Sequence, residues 1–169
     1  MNDTGIERID SFNSNRTYNY EWNDGNPFPI ARFRNLATIG PAGGMYSTAT
    51  DLHKWAKVIF YESSGTIPPA ALRRFIPSDE SYSFGLMRSR FKAHSTGNIF
   101  LSMGSKLASS ANNEIIWHNG QIAGTFAFIG FLPGRKVHFV ILSNVGFTFP
   151  QQQFVSGVIK ALEGVRKQP

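Results

Sequence analysis

Apolar residues recur at helical spacing in two stretches of this chain and alternate at strand spacing in a third. Ala49, Leu52, Trp55, Ala56, Ile59 and Phe60 fall on one face of a helix. Ser47 or Thr48 is placed to cap it, and Asp51 lies in the first turn, where a carboxylate favours the helix dipole. Gly65 sits just past its end. A shorter helix is expected from Pro68-Pro69 through Phe75. Near the other terminus Phe154, Val155, Val158, Ile159, Leu162 and Val165 form the apolar face of a helix opened by Pro150. Proline is favourable there because its missing N–H would find no partner in a first turn.

Between the helices the period changes. Tyr82 to Met87 and Ile99 to Met103 read as two strands joined by a polar loop around His94 to Asn98. Glu114 to Trp117 is a third strand, leading into His118-Asn119-Gly120. Thr125 to Phe131 and Val137 to Val145 flank the turn signal Pro133-Gly134, so residues 125–145 are expected to form an antiparallel hairpin. Residues 1–40 are polar, rich in Asn and broken by Asn23-Asp24-Gly25-Asn26-Pro27 and Pro29, which predicts an irregular segment lying over a surface. At Gly40-Pro41-Ala42-Gly43-Gly44 the chain is expected to turn tightly, with Gly43 and Gly44 relieving the steric limits on φ. The pattern predicts an α+β fold, an antiparallel sheet with flanking helices, in a single domain whose structured part is 41–169.

Composition narrows the function classes. The 169 residues are 41% apolar and 17% charged, which suits a folded domain, and fifteen Phe favour a sheet-containing core. The net charge of +6 comes from scattered Arg and Lys with no stripe or recognition motif, so no nucleic-acid partner is expected. There is no cysteine, hence no disulfide, thiolate catalysis or cysteine zinc site. No apolar run reaches the roughly 20 residues of a membrane helix, and Met1-Asn2-Asp3-Thr4 shows no leader. His53, His94, His118 and His138 have no ligand spacing, so neither metal nor cofactor is expected. No Gly-x-Ser-x-Gly elbow or phosphate loop is present.

Three stretches together resemble one family. Gly40 through Leu52 resembles the glycine turn and capped helix of serine β-lactamases, penicillin-binding proteins and their esterase and peptidase relatives. Ser83-Phe84-Gly85-Leu86 resembles the family's aromatic-Gly-Leu-Gly strand. His118-Asn119-Gly120, followed by Gly124, Pro133 and a strand ending Ser143-Asn144, resembles its third motif, Lys-Thr-Gly or His-x-Gly. The resemblance implies a partial β-lactamase/transpeptidase-like fold and acyl transfer through a serine ester, on an amide, lactam or ester. The substrate would be a small molecule or peptide-like.

In that family the basic residue, here His118, helps hold the substrate carboxylate and proton network from the sheet's edge strand. Gly120 leaves room for the substrate backbone, and the next residue, Gln121, offers its N–H as half of an oxyanion hole. The catalytic wall implied is therefore His118, Asn119 and Gly120 with the Gln121 amide. The family nucleophile lies in Ser-x-x-Lys, ahead of Tyr-x-Asn, because a lysine one helical turn away can take the serine proton. The only literal Ser-x-x-Lys here, Ser89-Arg90-Phe91-Lys92, follows the glycine turn and opens no apolar helix. Ser11-Phe12-Asn13 matches Ser-x-Asn without an upstream nucleophile. Both motifs are thus expected ahead of Met1, making this a C-terminal portion that is inactive alone. The alternative is a non-catalytic ligand-binding or interaction module of the same fold. With the family's N-terminal strands absent, 137–145 is expected to be an unpaired edge that invites self-association.

Overall fold

The computed structural model describes residues 1–8, 10, 14–23, 26–29, 36–61, 65, 67–79, 81–90, 114–146 and 151–164. In chain order the elements are β1 (Gly5–Ile6), β2 (Tyr20–Asn23), β3 (Asn26–Pro29), α1 (Gly40–Gly43), β4 (Met45–Tyr46), α2 (Ala49–Tyr61) and α3 (Pro69–Arg73). After these come β5 (Tyr82–Ser83), β6 (Leu86–Arg90), β7 (Glu114–Ile122), β8 (Thr125–Leu132), β9 (Val137–Ser143) and α4 (Gln151–Gly164). Strands β5 to β9 make one antiparallel sheet in sequence order. The fold is α+β, with helices on both faces of that sheet.

Alternation along the strands divides the core into two layers. Ile115 and Trp117 of β7 point with Phe126, Phe128 and Leu132 toward Val155 and Ile159 of α4. Ile116 and Phe131 point the other way and pack with Leu86 against Ile59 of α2 and Leu72 of α3. On the α4 side the rings of Trp117, Phe128 and Phe139 stack in a row across three strands, with centroids 5.5 and 5.6 Å apart. Gly130, paired with Trp117 and Phe139, leaves the gap the row needs. A Cβ there would lie 2.8 Å from the Phe139 ring.

Helix α2 begins where its cap was expected. Thr48 Oγ1 accepts from the Asp51 N–H at 3.2 Å, so Thr48 rather than Ser47 is the cap. Asp51 is more than a first-turn charge. It is 1% exposed and accepts from the Asp3 N–H at 2.8 Å, the Thr4 hydroxyl at 3.0 Å and the Lys54 ammonium at 2.9 Å. The Lys54 contact, against the opposing effect of desolvation, holds its carboxyl at about 2. The N-terminal residues are thereby fastened to the helix.

Three expectations need correction. Tyr82 to Met87 is a tight hairpin, β5 and β6, because Phe84 (φ 46°) and Gly85 (φ 88°) both take positive φ, as a type I′ turn requires. The 1–40 segment is not wholly irregular: β1 pairs with β4, and β2 with β3. The Gly40–Gly44 stretch is a short helical turn in which only Gly40 has positive φ. Gly44 is required for space instead, since a Cβ would sit 2.6 Å from the Leu36 carbonyl oxygen and 2.9 Å from that of Gly40. At Gly43 a Cβ would meet the end of the Ile39 side chain at 2.6 Å, a neighbour that can swing away. The expected strand at Ile99 to Met103 and the residues Ser11-Phe12-Asn13, Pro150 and Val165 lie outside the described residues.

Candidate active site

His118, Asn119 and Gly120, the residues that resemble the third motif, occupy the second half of β7. The first half, Glu114 to Trp117, pairs with β6, and that pairing ends at Met87↔Trp117. Residues 116–122 pair with β8 through Ile122↔Thr125. Among the described residues, His118 to Ile122 therefore have a strand partner on one side only. The motif was expected on an edge strand. β7 is third of five in the sheet, and it becomes an edge locally because β6 turns back at Phe84-Gly85.

Alternation places His118 on the α2/α3 face, next in line to Ile116, and Asn119 on the α4 face with Trp117. His118 is half-buried, and the Tyr82 ring lies 6.2 Å from it, centroid to centroid. Burial lowers the pKa of the imidazole, so it is neutral at pH 7. Gly120 is exposed, and a Cβ added there would meet nothing within 4 Å. Tyr82 and Phe84, 62% and 70% exposed, stand on the neighbouring hairpin.

The far end of β7 is held by the polar N-terminal segment. The Glu21 carboxylate accepts from the Gly124 N–H at 2.9 Å, in the turn between β7 and β8. Tyr20 donates to the Asn144 carbonyl, and its own carbonyl accepts from Gly146, both at 2.8 Å. The Asn144 side chain donates to the Tyr18 carbonyl at 3.1 Å. A Cβ on Gly146 would collide with Glu21 and, at 2.8 Å, with the Gly124 Cα. Nothing local in the sequence marks Glu21, which is one acid among several in the polar 1–40 run.

Ser89, the serine of the literal Ser-x-x-Lys, is buried and hydrogen-bonded within the sheet. It is 2% exposed in mid-strand β6, and its hydroxyl accepts from the Trp117 indole N–H at 3.0 Å. Lys92 lies outside the described residues. Among those residues no group of three or more potential metal ligands converges. Two histidines nevertheless meet. His138 Nε2 lies 2.8 Å from His53 Nδ1, a contact that spacing 85 residues apart in the sequence concealed. No described helix is long and apolar enough to cross a membrane.

Comparison with known proteins agrees with the fold. An octameric penicillin-binding protein homologue from Pyrococcus abyssi superposes with a TM-score of 0.63 over 97% of this chain, at 16% identity. That match covers 34% of the homologue, so the chain spans about a third of its length. The likeness shows a common fold. No curated protein sequence matches the chain. The family model described as Beta-lactamase matches residues 1–156, and the chain belongs to that family, with the serine-hydrolase-type fold of β-lactamases and penicillin-binding proteins.

Proposed function

We propose that this chain supplies the third-motif wall of an acyl-transfer site of the β-lactamase/penicillin-binding-protein type, and that it does not turn over substrate by itself. The observation that carries the reading is the half-paired strand. Among the described residues, His118 to Ile122 have a strand neighbour only in β8, with open space over Gly120. An extended amide or peptide-like substrate can lie along such an edge and take main-chain hydrogen bonds from it. In this reading the Gln121 N–H is one donor to the oxyanion that forms when a serine attacks the acyl carbon. The second donor and the serine belong to a Ser-x-x-Lys segment ahead of the glycine turn, which these 169 residues do not contain. His118, neutral at pH 7, donates or accepts a hydrogen bond in the proton network and carries no fixed positive charge. Asn119 lies on the opposite face, across from Phe128 of β8.

The test is hydrolysis of nitrocefin and p-nitrophenyl esters. The 169-residue chain should match a buffer control, since loss of a nucleophile removes several orders of magnitude in rate. Joined to a family segment carrying Ser-x-x-Lys and Tyr-x-Asn, it should gain turnover, and His118→Ala should then lower kcat/KM by about a hundredfold. Turnover by the chain alone, abolished by a fluorophosphonate, would overturn the reading. Joined protein that binds substrate without being acylated would favour a non-catalytic binding module.

A further inference from the structure

We propose that His53 and His138 form a two-imidazole site for a divalent zinc ion that clips helix α2 to the edge strand β9. The two side chains come from different elements, and His53 Nδ1 and His138 Nε2 face each other across 2.8 Å. A single proton can occupy that line. Which nitrogen owns it follows from the neighbours. The Tyr61 hydroxyl donates to the Lys136 carbonyl at 2.8 Å, so its oxygen is left to accept from His138 Nδ1, 3.1 Å away. His138 then carries its proton on Nδ1, and its Nε2 presents a lone pair to the Nδ1–H of His53.

That arrangement is one substitution from a metal site. A ligating imidazole characteristically donates its second N–H to an oxygen, which fixes the ring and sharpens the lone pair. Tyr61 already does this for His138. Zinc would take the place of the shared proton, which moves by exchange with water from His53 Nδ1 to its own Nε2, so that each imidazole keeps one N–H and both facing nitrogens donate electron pairs to the ion. With Zn–N near 2.0–2.1 Å and tetrahedral angles, the nitrogens need to part only to about 3.3 Å, water filling the remaining positions. The rings already lie side by side, with centroids 4.7 Å apart and planes tilted by 34°. A metal takes the neutral form of His138, so zinc affinity should fall as pH drops. The charged group acting on His138 from α2 is Lys57, whose repulsion of a cation works against tight binding. Soft or borderline ions suit two imidazoles, and magnesium does not.

The test is calorimetric titration of the full 169-residue chain with zinc chloride at pH 7.5, in two buffers of different ionisation enthalpy. About one ion should bind per chain with the same heat in both buffers, since no net proton leaves either ring, and magnesium chloride should give no heat of binding. His53→Ala and His138→Ala should each weaken binding roughly tenfold or more, and Tyr61→Phe, which keeps both ligands, about tenfold. Circular dichroism would verify that each variant is folded. His94→Ala should bind as the parent chain does. Zinc binding unchanged in folded His53→Ala or His138→Ala, or lost in His94→Ala, would overturn the site, as would no binding at millimolar zinc.

Discussion

Strand β7 contains two contrasting environments joined end to end. Over 114–117 it is paired with β6, with β8 joining on the other edge from Ile116, and Ile115, Ile116 and Trp117 are buried between helices on both faces. Over 118–122 one edge is unpaired among the described residues, and the side chains are half-buried or, at Gly120, absent and exposed. The backbone conformation is the same throughout. What changes is the neighbour on the β6 side, which leaves at the Phe84-Gly85 turn. A strand segment with both edges paired and both faces covered has nothing to offer a ligand. The same strand, two residues later, offers main-chain groups held in place by its buried half. The first half is scaffold and the second is surface, and a hairpin turn at residue 84 divides them.

Stability should split along the same line. Ile115 is fully buried in the layer against α4. Truncation there deletes apolar contacts and leaves a cavity, so Ile115→Ala should cost about 2–5 kcal/mol in urea unfolding. Gly120→Ala should change stability by less than about 0.5 kcal/mol, because the added methyl meets nothing. Equal losses in the two variants would break the contrast. A milder change in the first half isolates one hydrogen bond. Trp117→Phe keeps most of the ring but removes the N–H that the Ser89 hydroxyl accepts, leaving a buried oxygen short of its donor. The expected cost is about 1–3 kcal/mol, and Ser89→Ala added to it should recover part of the loss. A double-mutant cycle over the four proteins measures the coupling.

How much of this was legible beforehand depended on the range of the interaction involved. The 125–143 hairpin could be read because alternation and the Pro133-Gly134 turn are local, and β8 and β9 pair as expected from Phe126↔Ser143 to Leu132↔Val137. Helix α2 was equally plain, with Thr48 in place to cap it. The β5–β6 turn was missed because Phe84 takes a positive φ, which a bulky residue rarely does and propensity does not anticipate. The 1–40 segment looked irregular because its order comes from elsewhere. Glu21 is anchored to Gly124, and Asp51 to Asp3 and Thr4, across 103, 48 and 47 residues. In the candidate site, His118-Asn119-Gly120 stood out by resemblance, whereas the free edge beside it follows from where β6 ends. The meeting of His53 and His138 needed the packing of α2 on β9, and no spacing in the chain encodes it.

The smallest expected effect is a pH dependence confined to the second half of β7, whose first half carries no histidine. His118 titrates lower in the folded chain than its ordinary value of 6.5, because burial disfavours the imidazolium. The unfolded chain therefore takes up a proton first as pH falls. Above pH 6.5 both states are neutral at this residue and its contribution to stability is fully present. As pH drops through 6.5 toward the folded value, the unfolded state is favoured and the contribution is lost. His138 is shifted in the same direction by burial, His53 and Lys57, so it adds to the same window and must be separated. Thermal melts from pH 8 to pH 5, with chelator present, should show the parent chain losing stability on the acid side. His118→Gln, which cannot titrate, should flatten part of that slope, His138→Gln another part, and the double variant should approach the sum. Additivity is expected because the two side chains lie on different strands of the sheet and share no hydrogen-bond partner among the described residues. If His118→Gln leaves the slope untouched, the imidazole is fully hydrated at the free edge, and the boundary between scaffold and surface lies at Trp117 rather than just beyond His118.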